Sequence, residues 1–240
     1  MSTRPHTYVA DRLAIALALE SPAVGLAFVD QSPPDVAELG TETPSACSLW
    51  RQAEDGVFYA PAAKHFNCAV GAMTMGFALD ESAQARLADV VGQMCACGYV
   101  GADEPASIPK VGRQAAGIVY GPLGDLPVEP DLVLVWLRPH QAMLFNEASG
   151  AASWAGRRHL PVLGRPACAA LPHALAASQP ALSMGCLGMR TFTEVSGDRM
   201  LAVIPRANLE AFVDALEQTV VANQTMGAAY DAQKAAFTAP

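Results

Sequence analysis

A cysteine motif that occurs twice constrains the fold of this chain more than any other sequence feature. An Ala-Cys pair ends at Cys47 and again at Cys168, and a second cysteine follows 21 and 18 residues later, at Cys68 and Cys186. An apolar run typical of a buried strand precedes each pair. A repeat of this kind predicts two similar α/β halves with pseudo-twofold symmetry, in which the four cysteines meet near the pseudo-axis.

Short apolar runs bounded by proline, glycine or aspartate predict the strands of the fold. They cover residues 24–29, 57–60, 116–120, 132–137, 160–163 and 199–204. Helix-forming segments alternate with these strands, which is typical of an α/β (α+β) protein. The sequence therefore predicts a single compact domain over 1–240, with pseudo-repeated halves at about 20–100 and 130–222 around mixed sheet(s) and a terminal helix at 223–240.

Two further expectations concern the helices. A similar run begins at Arg86 in the first half and at Ala211 in the second, so we expect an equivalent helix in each half. Pro172 falls inside a helix-forming stretch over 166–177. We expect it to kink or end that helix, because proline has no N–H to donate.

Charge excludes several classes of partner. The chain has 15 lysine and arginine residues against 23 aspartate and glutamate residues, and its formal net charge is −8. No basic run is present to neutralise a polyanion, which excludes nucleic acid and anionic membrane surfaces as partners. The apolar stretch Leu13–Val29 contains Glu20 and Pro22, so we do not expect it to span a bilayer.

Composition also predicts the assembly and the compartment. Only 16% of the residues are charged while 52% are hydrophobic, so we expect a homo-oligomer, most simply a homodimer, to cover some apolar surface. The N-terminal segment does not match the pattern of a secretory signal peptide. We therefore expect a cytoplasmic protein in which the six cysteines stay reduced rather than form disulfides.

The four repeated cysteines are the first candidates for chemistry: Cys47, Cys68, Cys168 and Cys186. Thiolates are soft ligands that suit zinc, copper(I) and iron–sulfur clusters. Their spacing does not fit a zinc ribbon, but widely spaced cysteines are compatible with a cluster held between two lobes. Spacing alone favours four buried thiols that only fill the core, because free cysteine is among the most buried residue types.

Two other side chains are candidates for catalysis. His65 lies three residues before Cys68, about one helical turn, where it could share a ligand face or lower the pKa of the thiol. Arg190 follows Cys186 in a glycine-rich segment and could hold an anionic substrate, or the charge of a cluster, with its planar guanidinium. The alternative for either residue is a solvated side chain on the surface that takes no part in catalysis. The candidates for the rim of an apolar pocket are Met73, Met75, Met184 and Met189.

Seven blocks of sequence carry a resemblance to a known family. They read AVGLAF from Ala23, CSLW from Cys47, HFNCAVG from His65, GIVYGPL from Gly117, RPHQAM from Arg138, RPACAALP from Arg165 and SMGCLGMR from Ser183. Together they resemble an uncharacterised prokaryotic family known as domain of unknown function 169, over nearly the full length. The resemblance implies no activity. It does imply that the motifs gather around the four repeated cysteines and leave out Cys95 and Cys97, which favours a functional role for the four.

The sequence leaves three functions open. The first is an iron–sulfur cluster or a single soft metal ion bound by three or four of the cysteines. Such a centre would serve an oxidoreductase or lyase acting on a small sulfur- or oxygen-containing substrate, with Arg190 and His65 nearby. The second is metal-free thiol catalysis by Cys68 with His65. The third is a non-catalytic carrier of a small molecule or cofactor. The expected partner is a small-molecule ligand or a redox partner.

Overall fold

Seven strands and eight helices make up residues 6–150 and 160–238, the part of the chain that the computed structural model describes. The strands are β1 (Val24–Val29), β2 (Phe58–Pro61), β3 (Gly117–Pro122), β4 (Leu132–Leu137), β5 (Val162–Leu163), β6 (Ala181–Ser183) and β7 (Met200–Pro205). The helices are α1 (Thr7–Leu17), α2 (Ala46–Gln52), α3 (Ala69–Thr74), α4 (Glu81–Ala96), α5 (Pro139–Ala148), α6 (Ala170–Ala177), α7 (Leu187–Thr193) and α8 (Leu209–Thr238).

All seven strands belong to one mixed sheet in the order β2-β3-β1-β4-β7-β6-β5. Neighbouring strands are antiparallel except for β5 and β6, which run parallel. The single sheet with its covering helices confirms the predicted α/β class and the single domain.

Apart from the edge strand β5, the strand order is the same on either side of the central β1–β4 pair. In the first half β3 lies between β1 and β2, and in the second half β7 lies between β4 and β6. β1 and β4 pair antiparallel, as a twofold axis between them requires. The two pairs of cysteines have matching positions if the two-residue strand β5 is left aside: Cys47 follows β1 and Cys168 follows β4, while Cys68 follows β2 and Cys186 follows β6.

The longer helices do not follow this symmetry. α4, which contains Arg86, lies between β2 and β3, whereas α8, which contains Ala211, follows β7. The prediction of an equivalent helix in each half is therefore wrong. α8 also runs without a break into the segment 223–240, of which residues 239 and 240 lie outside the described part.

Helices cover both faces of the sheet. Along β4, Leu134 and Trp136 face one side while Val133 and Val135 face the other, because successive side chains of a strand alternate. The first side packs against α2, α3 and α6, and the second against α1, α5 and α8. Burial on both faces explains why β4 is apolar throughout instead of alternating with polar residues.

Pro172 lies inside α6 without breaking it. A turn of 3-10 helix, Ala167–Ala169, leads into α6, and Ala169 is the N-cap, so Pro172 is the third residue of the helix. The first N–H groups of a helix have no acceptor within it, and a proline there gives up no hydrogen bond. The expected kink or end at Pro172 is therefore wrong, and Cys168 lies just before an intact α6.

Candidate functional site

A cavity of about 550 Å³ lies between the short helices on the first side of the sheet and α4. Its floor consists of the starts of α2, α3 and α7 and the turn before α6. Its roof consists of α4 and the segment that follows it, from Tyr99 to Pro109. The segment after α4 is thus part of the cavity wall.

All four repeated cysteines line this cavity: Cys47, Cys68, Cys168 and Cys186. Burial raises the pKa of the Cys47 thiol well above its usual range, and Cys168, Cys68 and Cys186 raise it further. Burial also raises the pKa of Cys168 to about 12, and Cys68 adds to this rise. The neighbouring cysteines raise these pKa values because a second negative charge close to the first is unfavourable. The structure therefore brings thiols from four separate segments together.

The four thiols differ in how accessible they are. Cys47 and Cys168 are buried, with exposed fractions of 6% and 4%, while Cys68 and Cys186 are half-buried. Cys186 is the N-cap of α7, and its Sγ accepts a hydrogen bond of 3.4 Å from the backbone N–H of Met189. Each half of the protein thus supplies one buried and one accessible thiol.

Gly71 allows the close approach of α3 to α2. A Cβ atom at this position would lie 2.7 Å from the Cβ of Ala46 and 3.1 Å from the Sγ of Cys68. Neither distance leaves room for a side chain, so a residue larger than glycine would push the two helices apart. Gly71 therefore helps to keep Cys68 on the same wall as Cys47.

Ser45 fixes the start of α2 and with it the position of Cys47. Its Oγ accepts a hydrogen bond of 3.2 Å from the backbone N–H of Ser48 and lies 2.9 Å from the hydroxyl of that residue. We expect Ser45→Ala to lower the free energy of unfolding by about 1 kcal/mol, since the helix loses its N-cap. Urea denaturation measures this change. The control is Ser32→Ala, in an exposed loop, and equal values for both variants would contradict the role of Ser45.

His65 lies in the core and does not line the cavity. Its Nδ1 is 3.1 Å from the carbonyl oxygen of Pro61, and its Nε2 is 2.9 Å from the hydroxyl of Tyr120. A carbonyl only accepts, so Nδ1 carries the hydrogen and Nε2 accepts from Tyr120. Burial lowers the pKa of His65 to about 4 and keeps the ring neutral at pH 7. With both nitrogens occupied, His65 is not placed to act as the base for Cys68.

Tyr120, which sequence reasoning missed, is hydrogen-bonded to His65 and belongs to the same core cluster as Cys47 and Cys168. Burial raises the pKa of its hydroxyl well above the usual range, and Cys47 and Cys168, which belong to the same core cluster, raise it further. Tyr120 and Ile118 are two residues apart on β3 and share the face that packs against the cysteine-bearing helices. That alternation was the signal in the sequence that could have identified Tyr120.

Comparison with known proteins places the chain in a family. The model of domain of unknown function 169, described as uncharacterised ArCR, matches residues 12–215 of the 240. The chain belongs to the ArCR family. No curated protein and no solved structure matches it. The match confirms the resemblance carried by the seven sequence blocks, all of which lie within the matched residues.

Arg190 of this ArCR-family protein faces backbone carbonyls instead of the cavity. Its guanidinium donates to the carbonyl oxygens of Met184 (2.7 Å), Arg199 (3.0 Å) and Ser196 (3.1 Å). These bonds tie α7 to the segments on either side of it. The guanidinium is therefore not placed to hold a substrate or the charge of a cluster at the cysteines, as the sequence suggested.

The four methionines predicted to rim a pocket do not do so together. Of these four, only Met189 lines the cavity of this ArCR-family protein, whereas Met73 is half-buried, Met75 is buried in the core and Met184 is exposed. Within residues 6–150 and 160–238, no three His, Cys, Asp or Glu side chains form a group that could hold a metal ion. Over the same residues, no helix combines the length and the hydropathy that a bilayer span requires.

Proposed function

We propose that this protein binds an iron–sulfur cluster at the floor of the cavity, through Cys47, Cys68, Cys168 and Cys186. One observation carries the proposal: four thiols, two from each half, line one cavity, and their proximity raises the pKa of the two buried ones, Cys47 and Cys168. Four thiolates with no cation between them repel one another. A metal centre among them removes this repulsion and stabilises the deprotonated sulfurs.

We propose a cluster rather than a single metal ion for this set of donors. A tetrahedral ion with metal–sulfur bonds of about 2.3 Å brings its ligand sulfurs to about 3.8 Å from one another. In the described part of the chain, no three potential ligands are grouped to hold one ion. A cluster places several iron and sulfide atoms between its cysteine ligands and so accepts a wider spacing.

The chemistry that a bound cluster supplies is electron transfer, or Lewis acidity at an open iron. The chain's own residues would set its surroundings. The Met189 N–H already points at the sulfur of Cys186, and hydrogen bonds of this kind raise the reduction potential of a cluster. The half-buried Cys68 and Cys186 would mark the side from which a small substrate in the cavity, or a redox partner, reaches the centre. Arg190 and His65 have no part in this proposal, since neither lines the cavity.

Anaerobic purification followed by iron and sulfide analysis tests the proposal. We expect a brown protein with the broad visible absorption of iron–sulfur charge transfer, and iron and acid-labile sulfide in similar amounts. A protein that stays colourless and free of iron after anaerobic incubation with ferrous iron and sulfide would contradict it.

Metal-free thiol chemistry is the second candidate, favoured by the accessibility of Cys68 and Cys186 from the cavity. It would proceed without His65, whose nitrogens are occupied. A colourless protein in which Cys68 reacts with iodoacetamide much faster than the exposed Cys97 would favour this function over the cluster. The predicted cytoplasmic location and homodimer remain predictions.

A further inference from the structure

We infer that the upper part of the cavity binds a small molecule with an apolar body and a single anionic group. This site comprises the roof and the mouth of the cavity and does not depend on the cluster. The cysteines form the floor, whereas the residues that recognise this ligand come from α4, from the segment after it and from the turn before Cys168.

The walls of the upper cavity suit an apolar body. Apolar side chains line it from both sides: Val90, Val91, Met94, Val100, Ile108, Leu163 and Phe192. The whole cavity, including the floor, has a volume of about 550 Å³, which lies within the range of small-molecule sites. It corresponds to roughly 18 water molecules at the density of the liquid. Water gains few hydrogen bonds in such a space, and an apolar molecule of drug size would replace it favourably.

Two arginines at the cavity supply the positive charge. Arg165 and Arg86 both line it, and neither forms an ion pair with any carboxylate of the described residues. The guanidinium of Arg165 lies 4.4 Å from the ring centroid of Tyr99, which also lines the cavity. Arg86 donates to the hydroxyl of Ser82 and to a backbone carbonyl.

The lack of a carboxylate partner for these two arginines is unusual within this acidic chain. The other arginines of the described part are bound to protein acceptors. Those paired with carboxylates are Arg12, Arg51, Arg113, Arg138, Arg199 and Arg206. Arg190 is bound to carbonyls. The guanidinium groups of Arg86 and Arg165, which have no carboxylate partner among the described residues, thus both line this apolar cavity, where a ligand carboxylate or sulfonate would pair with them.

Two carboxylates limit the ligand to a single negative charge. Asp89 and Glu104 also line the cavity, and each already accepts a hydrogen bond, from Gln93 and from the backbone N–H of Gly101. They would repel a second negative charge on a bound molecule. The chemistry of the walls therefore matches an apolar monoanion rather than a nucleotide or another polyphosphate.

The roof is attached loosely enough to admit such a molecule. Of the 16 residues of α4, only Ala83 is buried. A helix with so few buried contacts opens at a small fraction of the global free energy of unfolding. Movement of α4 away from α3 would expose the cavity without disturbing the sheet.

A pair of fluorescent probes tests the inference on the purified full-length protein. Anilinonaphthalene sulfonate has an aromatic body with one sulfonate, and N-phenyl-1-naphthylamine has the same body without the charge. We expect the protein to bind both at one site. Arg165→Gln and Arg86→Gln should each weaken binding of the sulfonate about tenfold, the loss of one charge-assisted hydrogen bond, and leave the neutral probe unchanged.

Two further variants complete the test. Arg206→Gln is the matched control, since Arg206 pairs with Glu129 and does not line the cavity, and it should bind both probes as the unaltered protein does. Val91→Trp should fill the cavity and abolish binding of both probes while circular dichroism stays unchanged. The inference is overturned if neither probe binds, or if Arg165→Gln and Arg86→Gln affect the two probes equally. Iron analysis of the same samples shows independently whether the cluster is present. A failure of this inference can therefore be distinguished from a failure of the proposed cluster.

Discussion

Replacement of any one cavity cysteine by serine is expected to remove most of the iron from the protein. A serine hydroxyl is a hard ligand that stays protonated at neutral pH, so the cluster loses one of its bonds to the chain. The four variants are Cys47→Ser, Cys68→Ser, Cys168→Ser and Cys186→Ser. Iron and sulfide content and the visible spectrum after anaerobic purification measure the effect. Cys97→Ser, at the exposed end of α4 and away from the cavity, is expected to keep the iron.

The pattern over the variants decides whether the four thiols form one centre. Full iron content in Cys47→Ser or Cys168→Ser would show that the buried pair holds no metal. Equal loss in Cys97→Ser would show that the iron is bound without specificity. Serine also places a hydroxyl at two buried positions, so Cys47→Ala and Cys168→Ala provide variants that keep an apolar side chain there.

Lowering the pH from 7 to 5 is expected to reduce the free energy of unfolding by about 2 kcal/mol through His65 alone. Burial lowers the pKa of His65 from 6.5 to about 4, so the folded protein binds this proton less readily than the unfolded chain. The contribution of His65 is complete above pH 6.5. It falls as the pH drops through 6.5 toward 4, because protons then favour the unfolded chain.

Urea unfolding at both pH values isolates this contribution. His65→Gln has no ring to protonate, so its stability should fall by about 2 kcal/mol less than that of the unaltered protein between pH 7 and pH 5. The control is His140→Gln, since His140 is exposed on α5. It should keep the pH dependence of the unaltered protein. The same slope in His65→Gln would mean that His65 does not stay neutral in the fold.

The sequence predicted the long, buried strands well and the shortest elements poorly. The predicted bounds of β1 and β4 agree with the structure, because six apolar residues between turn-forming residues give a clear pattern. β6 has only three residues, Ala181–Ser183, which is too short for any periodicity to show. α7 follows Gly185 and contains Gly188, so local propensity disfavours a helix here, and packing against α2 stabilises it instead.

The cysteines could be found from the sequence, but the roles of their neighbours could not. The repeated spacing and the family blocks both identified the four thiols. The three-residue separation of His65 from Cys68 was misleading, because the 3-10 helix Ala62–His65 ends before α3 begins and no continuous helix joins the two. The partner of His65, Tyr120, is 55 residues away and is placed by pairing between strands. Long-range pairing of this kind leaves no local signal.

Among the residues that the structure describes, the two halves of the protein are joined in the sheet only by the short pairing of β1 with β4. β1 and β4 share only three residue pairs, whereas each forms six with the next strand of its own half. A centre bound by two cysteines from each half would cross-link them over this short ladder. Binding of the metal and formation of the β1–β4 pairing would then be a single cooperative event. In a chain deprived of iron, the pairing between β1 and β4 would therefore be the first to be lost.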